Sequence, residues 1–164
     1  MTCLNLSHHA IEWKQATKTQ GLRAKHISSI FADVELLDKF LLQTLECDEH
    51  VTPHSMMCVG PYRDVWVQTP AKLFAKYTIE SVDDNGWFNC SPKLGNIIDC
   101  FELTSELCQP GETIHIQAQW GEVSDESGFI QSGTHKSYVC RSLVDPSDVW
   151  IVERKIFLNS YNII

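Results

Sequence analysis

"DVWVQTPAKLFAKY", residues 64–77, has a near copy in "DVWIVERKIFLNSY", residues 148–161. Both open Asp-Val-Trp followed by a β-branched residue, and both reach a Tyr thirteen positions after the Asp. The surrounding stretches, 58–79 and 140–163, read as one unit used twice. With a one-residue gap, Lys72 aligns with Lys155 and Phe74 with Phe157. The unit then reads as a strand, a short connection and an element carrying an aromatic pair. A large aromatic flanked by Val and Ile suits a strand covered on both faces. Trp66 and Trp150 therefore have two readings: packing within the sheet, or walls of a ligand site.

Working outward, strand signals dominate from about residue 55. "DVWVQ" (64–68), "KLFAKYTIESV" (72–82) and "GWFNC" (86–90) are β-rich, with "DDNG" at 83–86 as a hairpin turn. In "TIHIQAQW" (113–120), Ile114, Ile116, Ala118 and Trp120 alternate with Thr113, His115, Gln117 and Gln119. "KSYVCRSL" (136–143) and the second repeat are further strand candidates. Residues 91–108 fit a short helix or a strand.

The first third reads differently. Ile30, Val34, Leu37, Leu41 and Leu45 recur at steps of four and three, which predicts a helix of about five turns. Residues 7–21 fit a helix between Ser7 and Gly21, or an alternating strand around Ile11 and Trp13; the helix is the reading adopted. The predicted fold is α+β and a single domain, 1–164. Helices from a mainly helical part, 1–50, pack on a mainly antiparallel sheet built by 51–164, which contains the two related strand units.

Composition narrows the function. The 164 residues are 43% hydrophobic and 21% charged, with a net charge of −8, so general binding to a nucleic-acid backbone is disfavoured. The seven cysteines form no Cys-x-x-Cys pair, and no leader or long apolar run is seen, which predicts a cytoplasmic protein with reduced thiols. His54 and Cys58 stand four apart, but Pro53 works against a helix there, so no metal and no cofactor is expected. Cys58, Cys90 or Cys140 could be matched with His54 or His135 as nucleophile and base, yet no nucleophile elbow or phosphate-binding glycine loop is present.

Basic residues concentrate in the repeats: Arg63, Lys72, Lys76, Arg154 and Lys155. If the two units meet around a pseudo-twofold axis, they form a basic cleft edged by two indoles. The predicted ligand-binding set is Arg63, Trp66, Lys72, Trp150, Arg154 and Lys155, suited to a nucleotide-like anion. The competing reading is of exposed charges balanced by Asp64 and Asp148. Loop acids such as Asp83, Asp84, Asp125, Glu126 and Asp145 would instead suit a basic protein partner.

The second repeat also resembles small bacterial and phage domains of the PGDYG type. Pro146, Asp148, Trp150, Ile151, Val152, Phe157 and Tyr161 follow that order, with Ser147 at the motif's first Gly and Trp150-Ile151 in place of its Tyr-Gly. The likeness spans about the last fifty residues and, faintly, 60–77. It implies a small β-rich fold and a phage-like setting, and carries no mechanism.

The function expected from all this is a small binding or accessory protein. It would capture a protein partner or a small anionic ligand without turnover, with strand edges and five tryptophans as material for a homo-oligomer. Two alternatives stand beside it: a hydrolase or transferase acting on a nucleotide-like substrate in the cleft, and an acidic inhibitor that mimics nucleic acid.

Overall fold

The computed structural model describes residues 3–30, 41–43, 48–50, 54–118 and 129–164. The chain is mainly antiparallel β with short helices. Strands β1 (Lys14–Lys18), β2 (Leu22–His26), β5 (Met56–Val59), β6 (Val65–Gln68), β7 (Tyr77–Val82), β8 (Phe88–Pro92), β9 (Ile97–Glu102), β12 (Tyr138–Ser142), β13 (Val149–Val152) and β14 (Tyr161–Ile163) form two five-stranded sheets. Their orders are β6-β5-β2-β8-β7 and β13-β12-β9-β1-β14, with every pairing antiparallel. Two small hairpins complete the sheets: β3 (Leu41–Gln43) with β4 (Asp48–His50), and β10 (Thr113–Ala118) with β11 (Phe129–Thr134).

The two sheets are the same object built twice. In the first, Trp66 lies opposite Cys58, Cys58 opposite Ala24, and Ala24 opposite Phe88. In the second, Trp150 lies opposite Cys140, Cys140 opposite Cys100, and Cys100 opposite Lys14. Each edge strand is followed by a seven-residue helix, α2 (Pro70–Lys76) after β6 and α3 (Arg154–Ser160) after β13. Thr69 caps α2 by accepting the Lys72 N–H at 3.2 Å, and Glu153 caps α3 by accepting the Ile156 N–H at 3.1 Å. Both helices end at the repeat's Tyr, whose N–H donates to Leu73 in one half and Phe157 in the other, at φ −130° and −131°.

The units are equivalent at a constant shift, 66 to 150 and 77 to 161, so no gap is needed. The predicted matches of Lys72 with Lys155 and Phe74 with Phe157 are therefore corrected. Lys72 corresponds to Ile156, and Leu73 to Phe157.

Each helix fully buries one large apolar side chain on its own sheet. Leu73 packs with Leu22, Ala24, Met56, Cys58, Tyr77 and Cys90. Phe157 packs with Ile98, Cys100, Tyr138, Cys140 and Ala16, the topological counterparts of those sheet residues in the same sequence. Larger residues at two of these positions make the second core aromatic: Phe157 stacks on Tyr138 at 3.9 Å and on Tyr161 at 4.8 Å between ring centroids. A third cluster lies where the β10–β11 hairpin meets the second sheet. There Ile114, Ile116 and Val139 pack with Phe101 and Ile151, and Leu4, Leu6 and Trp13 cover them.

Several expectations are overturned. Residues 14–18 and 22–26 are strands, not part of a helical region, and β1 occupies in the second sheet the place of β8 in the first. The described helical turns before residue 50 are a 3-10 turn at Leu6–His8 and one α turn, α1 (Ile27–Ile30). The helix predicted from Ile30 to Leu45 meets strand at 41–43, and its remaining positions lie outside the described residues. Residues 72–76 and 154–160, read as strand, lie in helices. The hairpin at 83–86 is as expected: Asp83 accepts the N–H groups of Asn85 and Trp87, and Gly86 takes a φ of 83°. Among the described residues, no helix is long and apolar enough to cross a membrane.

Candidate functional site

The edge strands β6 and β13 both line one cleft, with α2, α3 and the ends of β1 and β9. Its space is about 120 Å³, well above the roughly 15 Å³ that one water requires. The lining is built largely from equivalent pairs, taken one from each half: Asp64 and Asp148, Trp66 and Trp150, Val67 and Ile151, Gln68 and Val152, Lys72 and Ile156, Tyr77 and Tyr161. Period-two alternation explains why Trp66 and Trp150 reach it. They stand opposite Cys58 and Cys140 on the helix side of each sheet, and both are half-buried.

Three lysines make contacts that cross between the halves at this cleft. Lys72 of α2 pairs with Asp148 at 3.5 Å. Lys76, at the end of the same helix, lies over the Trp150 ring, 4.6 Å from its centroid. Lys18, at the end of β1, lies over Trp66 at 5.7 Å and over Tyr161 at 4.6 Å. Each half thus places a lysine on the other half's tryptophan. The lysines come from non-equivalent positions, because Lys18 corresponds to Pro92 and Lys76 to Ser160.

The electrostatics are those of cations in a dry place. Burial pushes the Lys18 ammonium down from 10.5 to about 8; Asp64 pulls it up, and Lys76 pushes it further down. Burial also lowers Lys76, opposed by Asp148 and assisted by Lys72. The Tyr77 and Tyr161 hydroxyls are pushed up by burial, so both stay neutral. Among the described residues, neither Lys18 nor Lys76 has a carboxylate within 4.0 Å. Asp148 is 6% exposed; its Oδ2 faces Lys72, and its Oδ1 has no hydrogen-bond partner.

Of the six residues predicted from sequence, the cleft takes in Trp66, Lys72 and Trp150. Arg63 lies in the β5–β6 loop, exposed, at a φ of 62°. Arg154 turns to Glu102 at 3.2 Å, and Lys155 is exposed on α3. Sequence reasoning missed Lys18 altogether, and it counted Asp64 and Asp148 only as neutralising partners. The shared Asp-Val-Trp was a usable signal for the two carboxylates. Nothing local marks Lys18, which reaches the cleft through the pairing of β1 with β14.

Among the described residues, no histidine lines the cleft. His135 Nδ1 instead lies 2.9 Å from the main-chain oxygen of Cys108. Among the described residues, no group of three His, Cys, Asp or Glu side chains is placed to hold a metal ion. Cys58, Cys90, Cys100, Cys108 and Cys140 are buried, and Cys3 is exposed. No protein-family model matches the chain, and no curated protein or solved structure matches it either.

Proposed function

We propose that the protein is a binding protein that captures a small anionic ligand with a flat apolar body in the cleft between its two halves. The observation that carries this reading is the pair Lys18 and Lys76. Two half-buried ammonium groups line one cleft and lack an ion-pair partner among the described residues, while Lys72 already has Asp148. Holding unpaired cations away from water is costly, and an anion entering between them offsets that cost. The indoles of Trp66 and Trp150 supply the apolar walls a ring would contact.

The near-symmetry of the lining would by itself accept a ligand in two opposite orientations. It is broken at two places: Gln68 and Lys72 stand on one side where Val152 and Ile156 stand on the other. A ligand with a polar end and an apolar end is held one way round.

The test compares native and denatured masses of gently purified protein, followed by titration of the species released. The expected result is an extra mass lost on denaturation. Binding should weaken at least about tenfold in Lys18→Met or Lys76→Met, as charge-assisted contacts predict. Arg63→Ala and Lys155→Ala, outside the lining, should bind as the parent does. Equal loss from all four substitutions would point to surface charge in place of the cleft.

A further inference from the structure

The two Asp-Val-Trp units place the same carboxylate at the same point of each half, yet the two carboxylates are treated differently. In the first half, Asp64 is held by its own loop. Its Oδ1 accepts the Tyr62 N–H at 3.3 Å, and its main-chain oxygen accepts the Gly60 N–H at 2.8 Å. A β-carbon at position 60 would collide with that carboxylate, so the glycine there makes room for it. In the second half, the equivalent main-chain bond runs from the Ser142 N–H to the Asp148 oxygen at 3.0 Å, across a loop two residues longer. In this longer loop another acid binds the turn: Asp145 Oδ1 accepts both the N–H of Ser147, at 3.1 Å, and its hydroxyl, at 2.6 Å. Asp148 is thereby released from the turn. It is more than nine-tenths buried, it lines the cleft, and its Oδ1 is left without a donor.

A buried carboxylate oxygen without a donor is rare in a folded protein, because the lost hydration is not replaced. Asp148 lines the cleft, so a bound molecule there can supply the missing donor. We infer that the ligand brings it: a single aromatic ring bearing an anionic group for Lys18 and Lys76 and a ring O–H or N–H that donates to Asp148. The inference rests on the anion-binding reading of the cleft and narrows it. Ring size follows from the space, since about 120 Å³ is close to the roughly 150 Å³ cavity that takes one benzene. A fused bicycle with a sugar and phosphate would extend well outside it. The class is therefore a hydroxylated or N–H-bearing single-ring carboxylate.

Tryptophan fluorescence titration of the intact chain with benzoate, 3- and 4-hydroxybenzoate and the two methoxybenzoates separates the claims. The unmodified protein should bind one of the hydroxybenzoates at least about tenfold more tightly than benzoate or its methoxy counterpart, as a hydrogen bond to a charged group predicts. In Asp148→Leu, checked for its fold by thermal unfolding, the ratio of hydroxybenzoate to benzoate affinity should fall to about one, while benzoate itself binds no more weakly because Lys72 loses its carboxylate partner. The comparison of ligands on the unmodified protein stands whether or not that variant folds. Benzoate binding without a hydroxyl preference would overturn the inference and leave the anion site standing. If none of the five binds at millimolar concentration, both fall.

Discussion

Lys18 is where the competing forces in this molecule are most exposed. Its ammonium is drawn to Asp64 and to two aromatic faces, yet burial outweighs them and lowers it to about 8. Stability follows from that direction. Between about 8 and 10.5, the unfolded chain holds a proton that the native side chain has released, so this group's contribution to stability rises with pH across the window. Below about 8 both states are charged, and the native state carries the full desolvation cost. Lys18→Met should therefore be more stable than the parent near neutral pH, with the advantage shrinking as pH rises through the window. Burial raises the Cys100 thiol from 9.0 to about 11, which works in the opposite direction above 9.0. That group is common to both proteins and cancels in the difference. Urea midpoints of the two proteins at three pH values read the effect directly. A gap that does not change with pH would mean that Lys18 keeps an ordinary ammonium in the folded state.

At the scale of elements, the two short helices carry the cleft. Isolated helices of seven residues are not stable in water, so α2 and α3 persist through their caps and one large buried apolar side chain each, Leu73 or Phe157. Thr69→Ala should cost about 1 kcal/mol, the usual value of an N-cap, and Glu153→Ala a similar amount. The two should differ in ligand binding, measured by the same fluorescence titration. Fraying α2 loosens Lys72 and Lys76, whereas α3 contributes only Ile156 to the lining. Equal effects on binding would mean that α2 is held by its packing alone. These helices also show where the sequence was legible. Pro70 after Thr69 is a helix-start signal, but "KLFAKYTIESV" reads as β-rich and hid it. Glu153 is an uncommon cap, and nothing before α3 announces a helix. The strands β1 and β2 were missed for another reason. "KQATK" buries only Ala16 and shows no apolar alternation, and "LRAKH" alternates only over Leu22 and Ala24, too short a run to mark a strand. They are strands because partners on both sides complete their hydrogen bonds. The doubling was legible because Asp, Val, Trp and Tyr are identical in the two copies. The helix register was not, since the packing residues Leu73 and Phe157 differ and Phe74 offered a false match.

At the scale of the whole molecule, the doubling predicts how the chain comes apart. The helix-centred cores share no residue. Among the described residues, the halves meet at the cleft through one partly exposed ion pair, two lysine–indole contacts, a hydrogen bond from the Asn96 amide to the Lys76 main-chain oxygen at 3.3 Å and a long one from the Tyr62 hydroxyl to the Asn159 oxygen at 3.5 Å. Contacts of this kind contribute on the order of 1 to 2 kcal/mol each, less than a disrupted core costs. Each half should then lose structure largely on its own. β1 and β8 are the matching strands, each second from the edge, and Ala16 and Cys90 are their matching buried residues. Proline at either position removes ladder hydrogen bonds from an inner strand, at a cost of about 3 kcal/mol or more. In Ala16→Pro, amide exchange should quicken in β14 and β9, while β2 and β5 keep their protection. In Cys90→Pro the pattern should reverse, with β7 and β2 opening and β9 and β12 retained. Uniform loss of protection in both variants would show that the cleft couples the halves into one folding unit. Its cations would then have to be stabilised far more strongly than these cross-half contacts provide.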